Sequence, residues 1–165
     1  MDRGSGDRGG TGARSRAQLT VAVEFVEVAP GHERLPAVFE VMRQLRDQRT
    51  DDQLNELYAT GYPDGYRVAG LFDDGECRAA AGYRVATNFV SGRHLYVDDL
   101  VTGERWRSHG YGRALNDYLV GRAREEGCGS IQLDSAVHRR EAHRFYFRER
   151  YAITSFHFGR GLEVR

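Results

Sequence analysis

The fold of this chain is decided by the stretch Arg107-Ser108-His109-Gly110-Tyr111-Gly112, which joins a predicted strand to a predicted helix. The apolar run Leu95-Tyr96-Val97-Asp98-Asp99-Leu100-Val101 precedes it, and a helical pattern over residues 112–126 follows it. A loop at a helix start directs unpaired backbone N–H groups toward one point, and the helix dipole adds partial positive charge there. Glycines let a ligand approach the backbone closely. With the guanidinium groups of Arg107 and Arg113, the stretch predicts a diphosphate site.

Three known phosphate loops are candidates for this stretch. The Walker loop requires a lysine, and the chain contains none. The dinucleotide loop requires three glycines at fixed spacing, and only two are present. The third pattern, Arg/Gln-x-x-Gly-x-Gly/Ala, is the pyrophosphate loop of the GNAT family of N-acetyltransferases, and residues 107–112 resemble it at every defined position. The alternative interpretation is an ordinary strand-to-helix turn in a basic loop.

Two flanking segments strengthen the resemblance to the GNAT family. Tyr96-Val97-Asp98-Asp99-Leu100-Val101-Thr102 is similar to the family's fourth strand, which often reads aromatic, aliphatic, acid, acid, aliphatic. Ala142-His143-Arg144-Phe145-Tyr146 is similar to the family's Ala-x-x-aromatic/Leu-Tyr segment. The resemblance covers residues 66–158 and implies the acyl-CoA N-acyltransferase fold, with acetyl-coenzyme A as co-substrate.

The resemblance also implies which residues bind the coenzyme. Its diphosphate would bind the loop, at Arg107, Ser108, His109, Gly110, Tyr111, Gly112 and Arg113. Its pantetheine arm would pair with the extended backbone of Leu100, Val101 and Thr102, where one N–H would face the thioester oxygen. Arg139 occupies a position where many members have an asparagine that contacts the arm. A second departure is Arg150, where glycine usually precedes the aromatic residue.

Acetyl transfer to an amine needs a proton acceptor for the ammonium group and a proton donor for the departing thiolate. Tyr146 is the candidate donor, because family members of this pattern place a tyrosine near the sulfur; the alternative is a core aromatic residue. Asp98 or Asp99 is the candidate acceptor. Neighbouring strand residues point to opposite faces, so only one of them should reach the site. The alternative is that one pairs with an arginine and the other faces water, with no catalytic role. Deprotonation through an ordered water, which is common in the family, is a further alternative that needs no direct base.

The length and composition indicate one globular domain of 165 residues. The 24 basic residues, all arginine, balance 24 acidic ones, which argues against a general nucleic-acid or membrane partner. Two cysteines form no disulfide framework, and six scattered histidines lack metal-ligand spacing, so no metal is expected. Without a signal-peptide core we expect a cytoplasmic protein. Residues 1–18, rich in Gly and Arg, predict a disordered tail before a domain at residues 19–165.

The hydrophobic patterns predict the order β-α-α-β-β-β-α-β-α-β. Helices are expected over residues 33–48, 51–59, 112–126 and 140–150, and strands near residues 21–25 and over 66–72, 77–87, 94–102, 131–133 and 153–158. The strand-helix-strand unit of residues 94–133 implies a parallel pair, and the Asp74-Gly75 turn implies a hairpin. The fold class is therefore α/β (α+β), with a mixed, largely antiparallel sheet and helices on both faces.

Two functions fit these observations. The first is an N-acetyltransferase that moves acetyl directly, in a ternary complex, to a primary amine of a small molecule or peptide; the acidic pair favours a cationic acceptor. The second is a non-catalytic acyl-CoA sensor, which would not need a proton donor near the sulfur. The exposed final strands also predict a surface on which two copies could pair as a homodimer.

Overall fold

The computed structural model describes residues 23–162, which form a five-stranded sheet with helices on both faces. The strands are β1 (Glu24–Val28), β2 (Arg67–Asp73), β3 (Glu76–Asn88), β4 (Gly92–Thr102) and β5 (Ser130–Leu133). The helices are α1 (Leu35–Arg43), α2 (Asp51–Gly61), α3 (Tyr111–Glu125) and α4 (Arg140–Arg148). The predicted tail, and the first residues of the predicted domain, lie outside the described range.

The strands lie in the sheet in chain order, β1-β2-β3-β4-β5. The first four are antiparallel neighbours, and β2 and β3 form the hairpin predicted from Asp74-Gly75. Strand β5 runs parallel to β4, and α3 is the crossover between them. The predicted mixed, largely antiparallel sheet with one parallel strand-helix-strand unit is therefore confirmed.

The alternation of side chains along β2 and β3 divides the core into two layers, one on each face of the sheet. The layer under α1 and α2 consists of Val28, Leu35, Val38, Phe39, Val41, Met42, Tyr58, Val68, Phe72, Cys77, Ala80 and Val101. The layer under α3 consists of Ala69, Leu71, Ala79, Ala81, Tyr83, Leu95, Val97, Leu115, Leu119 and Ala123. The C-terminal end of β4 lies beside the N-terminal end of α3.

Helix α1 is shorter than predicted. It ends at Arg43 rather than near residue 48, and the chain then turns, with the N–H groups of Leu45 and Arg46 both donating to the Met42 carbonyl. Leu45 still packs against the core, which explains why the apolar periodicity continued past the helix end. The turn also directs the Arg46 side chain toward β4.

The predicted closing strand over residues 153–158 is absent, because residues 151–162 adopt neither helix nor strand. The alternation of apolar residues there is real, but a strand also needs a partner edge. Alternating apolar residues show that a segment is compatible with a β-strand, but not that a sheet edge is available for it to pair with.

Helix α4 ends in a Schellman motif that has arginine at the left-handed position. Arg150 has φ of 67°, the Arg150 N–H donates to the Phe147 carbonyl, and the Tyr151 N–H donates to the Tyr146 carbonyl. The Tyr146 and Tyr151 rings also pack together, with centroids 5.6 Å apart. Glycine is the usual residue at this position because it has no Cβ to clash with the following carbonyl.

We therefore expect Arg150→Gly to raise the free energy of unfolding by about 0.5–1 kcal/mol, by removing the Cβ strain of an exposed residue. Urea denaturation measures the change. The control is Arg148→Gly within the last turn of α4, where glycine should lower stability by a similar amount. Equal losses in both variants would contradict the role of the left-handed backbone.

Candidate functional site

The predicted diphosphate loop lies between β4 and α3, after a short 3₁₀ turn over Glu104–Trp106. Ser108 and Gly110 both have positive φ, 65° and 91°, and Gly110 is the N-cap of α3. Within the described residues, the backbone N–H groups of residues 108–113 donate to no other protein group. A turn of this type, followed by a helix N-terminus, forms a concave group of N–H donors that suits an anion.

Arg107 and Arg113 place positive charge on either side of this loop. Both side chains are exposed, and their ion pairs are long: 4.0 Å from Arg107 Nη1 to Glu104, and 3.9 Å from Arg113 Nε to Asp117 and to Glu149. Ion pairs of this length and exposure contribute little to stability, so neither guanidinium is held firmly by a protein carboxylate. Together with the free N–H groups, they fit a diphosphate.

The β2–β3 hairpin packs against this loop and forms hydrogen bonds with it. The Tyr111 hydroxyl donates to the Asp73 carboxylate, and Trp106 Nε1 donates to Glu76 Oε1 at 3.2 Å. The guanidinium of Arg78 lies 3.6 Å from the Trp106 ring centroid, a close cation–π contact. The bond to Asp73, followed by burial, raises the pKa of Tyr111. The sequence gave no sign of these hairpin partners, which are Asp73 for Tyr111 and Glu76 and Arg78 for Trp106.

His109 belongs to the same loop and is exposed. Its ring stacks near the Tyr111 ring at 6.3 Å between centroids, and its Nδ1 lies 2.8 Å from the Arg107 carbonyl oxygen. These contacts are local and fix the course of the loop between Arg107 and Gly110.

The end of β4 presents an open backbone edge. Strand β5 pairs with β4 only over His94–Val97, so beyond Val97 the strand is bonded to β3 alone. The predicted arm-binding residues Leu100, Val101 and Thr102 lie on this open edge. Val101 is buried under α1, whereas Leu100 packs on the α3 side. The main chain there can therefore pair with an extended ligand, whatever its side chains contribute to the core.

Gly112 is where three elements meet. A Cβ at this position would lie 2.9 Å from Thr102 Oγ1 and 3.6 Å from the Phe145 ring. The start of α3 is thus in contact with both the open edge of β4 and helix α4. Tyr146 follows Phe145 on α4 and therefore lies on the helix that contacts the start of α3 at Gly112.

Tyr146 is half-buried, and its ring packs against those of Phe145 and Tyr151, at 5.5 and 5.6 Å between centroids. Its hydroxyl donates to no group in the described part of the chain. Burial raises its pKa, and Arg139, exposed at the N-cap of α4, opposes that shift. The phenol is therefore protonated at neutral pH and free to donate.

A β-bulge in β4 corrects one sequence-based expectation. Asp99 is opposite Gly82 and Val97 is opposite Tyr83, so Asp98 has no partner residue on β3. Val97 and Leu100 both pack on the α3 side, which leaves Asp98 and Asp99 together on the other side of the sheet. The prediction that the two acids point to opposite faces was wrong, because the bulge inserts an extra residue into the alternation.

Asp99 is held by two protein partners. Its Oδ1 lies 2.7 Å from both Nε and Nη2 of Arg46, and its Oδ2 accepts from the Tyr66 hydroxyl at 2.7 Å. Its side chain is only 11% exposed. Burial, followed by the charge of Asp99, raises the pKa of Tyr66, so that hydroxyl remains a donor. Both carboxylate oxygens are thus occupied by protein donors, and these bonds favour a structural role.

Asp98 is less constrained. Its Oδ1 pairs with Arg84 Nη2 at 3.0 Å, while its Oδ2 is buried and has no partner among the described residues. Burial raises its pKa; Arg84 opposes the shift, and Asp99 adds to it. Of the two acids, only Asp98 has a carboxylate oxygen without a partner among the described residues, which makes it the better candidate proton acceptor. Each carboxylate is balanced by an arginine, which removes the charge argument for a cationic acceptor.

Gly82 makes the Asp99 contacts possible. A Cβ at Gly82 would lie 2.7 Å from Cζ of Tyr66, closer still to its hydroxyl oxygen, and 3.0 Å from Asp99 Oδ2. The Tyr66 hydroxyl thus rests directly on the Gly82 backbone. The small-residue run Ala79-Ala80-Ala81-Gly82 is the sequence signal of such a close approach, although its partner could not be inferred from the sequence.

Residues 23–162 contain no group of three or more His, Cys, Asp or Glu side chains arranged to hold a metal ion. None of the helices in that range has both the length and the apolar character needed to cross a bilayer.

Two comparisons by sequence both match acetyltransferases. A model of the Acetyltransferase (GNAT) family matches residues 35–150. The uncharacterized N-acetyltransferase YhdJ of Bacillus subtilis (strain 168) is 34% identical over 130 residues, which cover 78% of this chain and 84% of that protein.

Solved structures share the fold at low sequence identity. An aminoglycoside acetyltransferase from an uncultured soil metagenomic sample, in complex with sisomicin, superposes with a TM-score of 0.70 at 13% identity, covering 86% of this chain and 97% of that one. Glucosamine-6-phosphate N-acetyltransferase from Arabidopsis thaliana gives 0.67 at 17% identity, covering 86% and 99%.

Proposed function

The chain belongs to the GNAT family of acetyltransferases, and from that premise we propose that it moves an acetyl group from acetyl-coenzyme A directly to a primary amine of a small molecule or peptide. The observation that carries the proposal is the meeting of three elements at Gly112: the N–H-lined loop, the open edge of β4 and the helix that bears Tyr146. Each supplies one requirement of the reaction.

The coenzyme would supply an acyl group activated as a thioester. The free N–H groups of residues 108–113, with Arg107 and Arg113, would hold its diphosphate. The backbone of Leu100, Val101 and Thr102 would bond to its extended arm, as an added strand bonds to a sheet edge. Arg139, exposed beside α4, is near enough to influence Tyr146 and is proposed to contact the same arm.

Two side chains would move protons. Tyr146 keeps its proton at neutral pH and donates it to the departing thiolate. Asp98 accepts a proton from the attacking ammonium group, directly or through a bound water at its unpartnered Oδ2. Asp99 would act by fixing the bulge on which Asp98 lies, through Arg46 and Tyr66. The acceptor amine would enter between these groups, in a complex that holds both substrates.

A thiol-release assay tests the proposal. The full chain is incubated with acetyl-coenzyme A and a panel of primary amines, from aminosugars to short peptides, and free coenzyme thiol is measured. We expect thiol release that depends on one class of amine and a matching acetylated product. Tight coenzyme binding without release for any amine would instead indicate the sensor function.

Reversing the charge of Arg107 should weaken coenzyme binding. Arg107→Glu replaces an attractive contact with a repulsive one beside the diphosphate, and we expect the dissociation constant for coenzyme A to rise by about 100-fold. Isothermal titration calorimetry measures it. Arg124→Glu makes the same change in net charge at the opposite end of α3 and should change affinity by no more than about twofold. Similar affinities for Arg107→Glu and wild type would reject the loop as the anchor.

A further inference from the structure

The face of the sheet that bears Asp98 also carries an arginine with no role in the proposed proton transfers. Arg84 lies on β3 directly opposite Tyr96 of β4, so the two side chains share one face of the sheet. The neighbours of Tyr96 along β4 pack on the α3 side, which places Tyr96 and Arg84 on the face of Asp98. The Arg84 side chain is 52% exposed, so a ligand can reach it.

Two contacts hold the guanidinium group of Arg84. Its Nη2 lies 3.0 Å from Asp98 Oδ1, and its Cζ lies 5.3 Å from the centroid of the Tyr96 ring. No other carboxylate of residues 23–162 lies within ion-pair distance of this group. Because a guanidinium has five N–H donors in a planar fork, most of those of Arg84 remain available to a second anion.

Asp98 has charges of both signs around it. Arg46, in the turn after α1, donates through Nη2 to the main-chain oxygen of Asp98 at 3.2 Å. Burial raises the pKa of Asp98, and the charge of Arg84 opposes that shift. Arg46 also lowers this pKa, whereas Asp99 and Asp134 raise it further. The place proposed for the acceptor amine therefore has cationic and anionic groups side by side.

An ammonium group that approaches Asp98 competes with Arg84 for the same carboxylate. With an acceptor that carries only an amine, the guanidinium loses part of its ion pair when the amine binds. It loses the rest when Asp98 takes up the proton, because a neutral acid no longer offsets the cation. An anionic group on the same acceptor would give Arg84 a replacement partner throughout the transfer.

We propose that the acceptor is a zwitterion with a carboxylate or phosphate group a few bonds from its primary amine, and that Arg84 binds this anionic group. The inference rests on the proposed acetyl transfer and names the class of amine that it uses. A site in which opposite charges are adjacent is complementary to a ligand that carries both charges.

The protons and bonds of the transfer balance with such an acceptor. The ammonium group gives one proton to Asp98, directly or through water, and the free amine attacks the thioester carbon. The carbon–sulfur bond then breaks, and Tyr146 protonates the departing thiolate. The proton that the nitrogen loses as the amide forms returns through solvent to Tyr146. The product keeps its anionic group, which remains paired with Arg84 until release.

Matched acceptor pairs test the class of substrate. Thiol release by the full chain is measured with β-alanine against β-alaninamide, and with phosphoethanolamine against ethanolamine, at pH 7, where all four amines are protonated. We expect kcat/KM for the anionic member to exceed that for the neutral member by about 30-fold in at least one pair. The pair with the larger ratio distinguishes a carboxylate from a phosphate.

Variants of Arg84 test the residue. Arg84→Gln should lower the ratio of the two kcat/KM values to about threefold or less, and Arg84→Lys, which keeps the charge without the planar fork, should give an intermediate ratio. Any effect of losing Arg84 on the pKa of Asp98 alters both acceptors alike and cancels in the ratio. Arg93→Gln is the matched control: Arg93 is 48% exposed and pairs with Glu126, and its loss should leave the ratio unchanged.

Three outcomes would count against the inference, each in a different way. A panel amine without an anionic group that reacts faster than both zwitterions would overturn the class of acceptor and leave acetyl transfer intact. A large ratio that persists in Arg84→Gln would overturn the role of Arg84. Thiol release with no amine at all, on a chain that binds coenzyme A by calorimetry, would reject the proposed function itself and the inference with it.

Discussion

Replacing Tyr146 with phenylalanine is expected to lower kcat by about 100- to 1,000-fold, because a positioned proton donor commonly contributes that much. The KM for acetyl-coenzyme A should change by no more than about threefold, since the ring remains to pack against Phe145 and Tyr151. Steady-state kinetics with the acceptor found in the amine panel measures both constants.

The pH dependence of kcat is an independent test of Tyr146 as the proton donor. The donor is needed in its protonated form, and burial places the pKa of Tyr146 above its ordinary value of 10.0. Wild-type kcat should therefore hold through neutral pH and fall only as the pH rises above about 10. The Tyr146→Phe variant should not show this decline of kcat at alkaline pH.

Tyr151→Phe is the matched control for Tyr146→Phe. Its ring packs against Tyr146, but its hydroxyl is already bonded to Asn116. This variant should lose about 1 kcal/mol of stability and retain most of its turnover. A Tyr146→Phe enzyme with wild-type kcat would remove the phenol from the mechanism and leave solvent as the proton donor.

Replacing Gly82 with alanine is expected to lower the free energy of unfolding by about 1–3 kcal/mol and to impair turnover as well. The new methyl group would overlap the Tyr66 ring and hydroxyl and would press on Asp99 Oδ2. Tyr66 cannot withdraw freely, because it is bonded to Asp99, which Arg46 holds from the other side. The bulge that positions Asp98 should therefore distort.

Two further variants isolate the Gly82 effect. Gly121→Ala, in the interior of α3 where a Cβ meets nothing within 4 Å, should stabilise the protein by about 0.5–1 kcal/mol. Tyr66→Phe in the Gly82→Ala background removes the closest of the overlapping atoms, so the double variant should lose less stability than the sum of the single changes. Strict additivity, measured by thermal and urea unfolding, would show that the two residues are not in contact.

The fold could be predicted from the sequence because its signals are local. The hydrophobic period identified the helices and the central strands, Asp74-Gly75 marked the hairpin, and the loop of residues 107–112 fixed the strand-loop-helix junction. The final strand over residues 153–158 was predicted wrongly, since pairing depends on a distant edge that local periodicity does not report.

The site could be predicted only in part, and for a similar reason. Backbone chemistry at the loop follows from the glycine pattern, so the placement of Gly110 and Gly112 at the start of α3 could be expected. The partners of Asp99 come from far along the chain, Arg46 from the turn after α1 and Tyr66 from the start of β2. A bulge is equally invisible in an alternating pattern, which is why Asp98 and Asp99 were assigned to opposite faces.

The bonds that Tyr111 donates to Asp73 and Trp106 donates to Glu76 have a consequence for the proposed coenzyme binding. They set the shape of the loop during folding, so little conformational entropy remains to be lost when a ligand binds. The loop is in this sense preorganised, and it is held in shape by a hairpin that lies outside it. If the loop binds the coenzyme as proposed, sequence changes in that hairpin are a route by which affinity can be tuned without altering any residue of the loop.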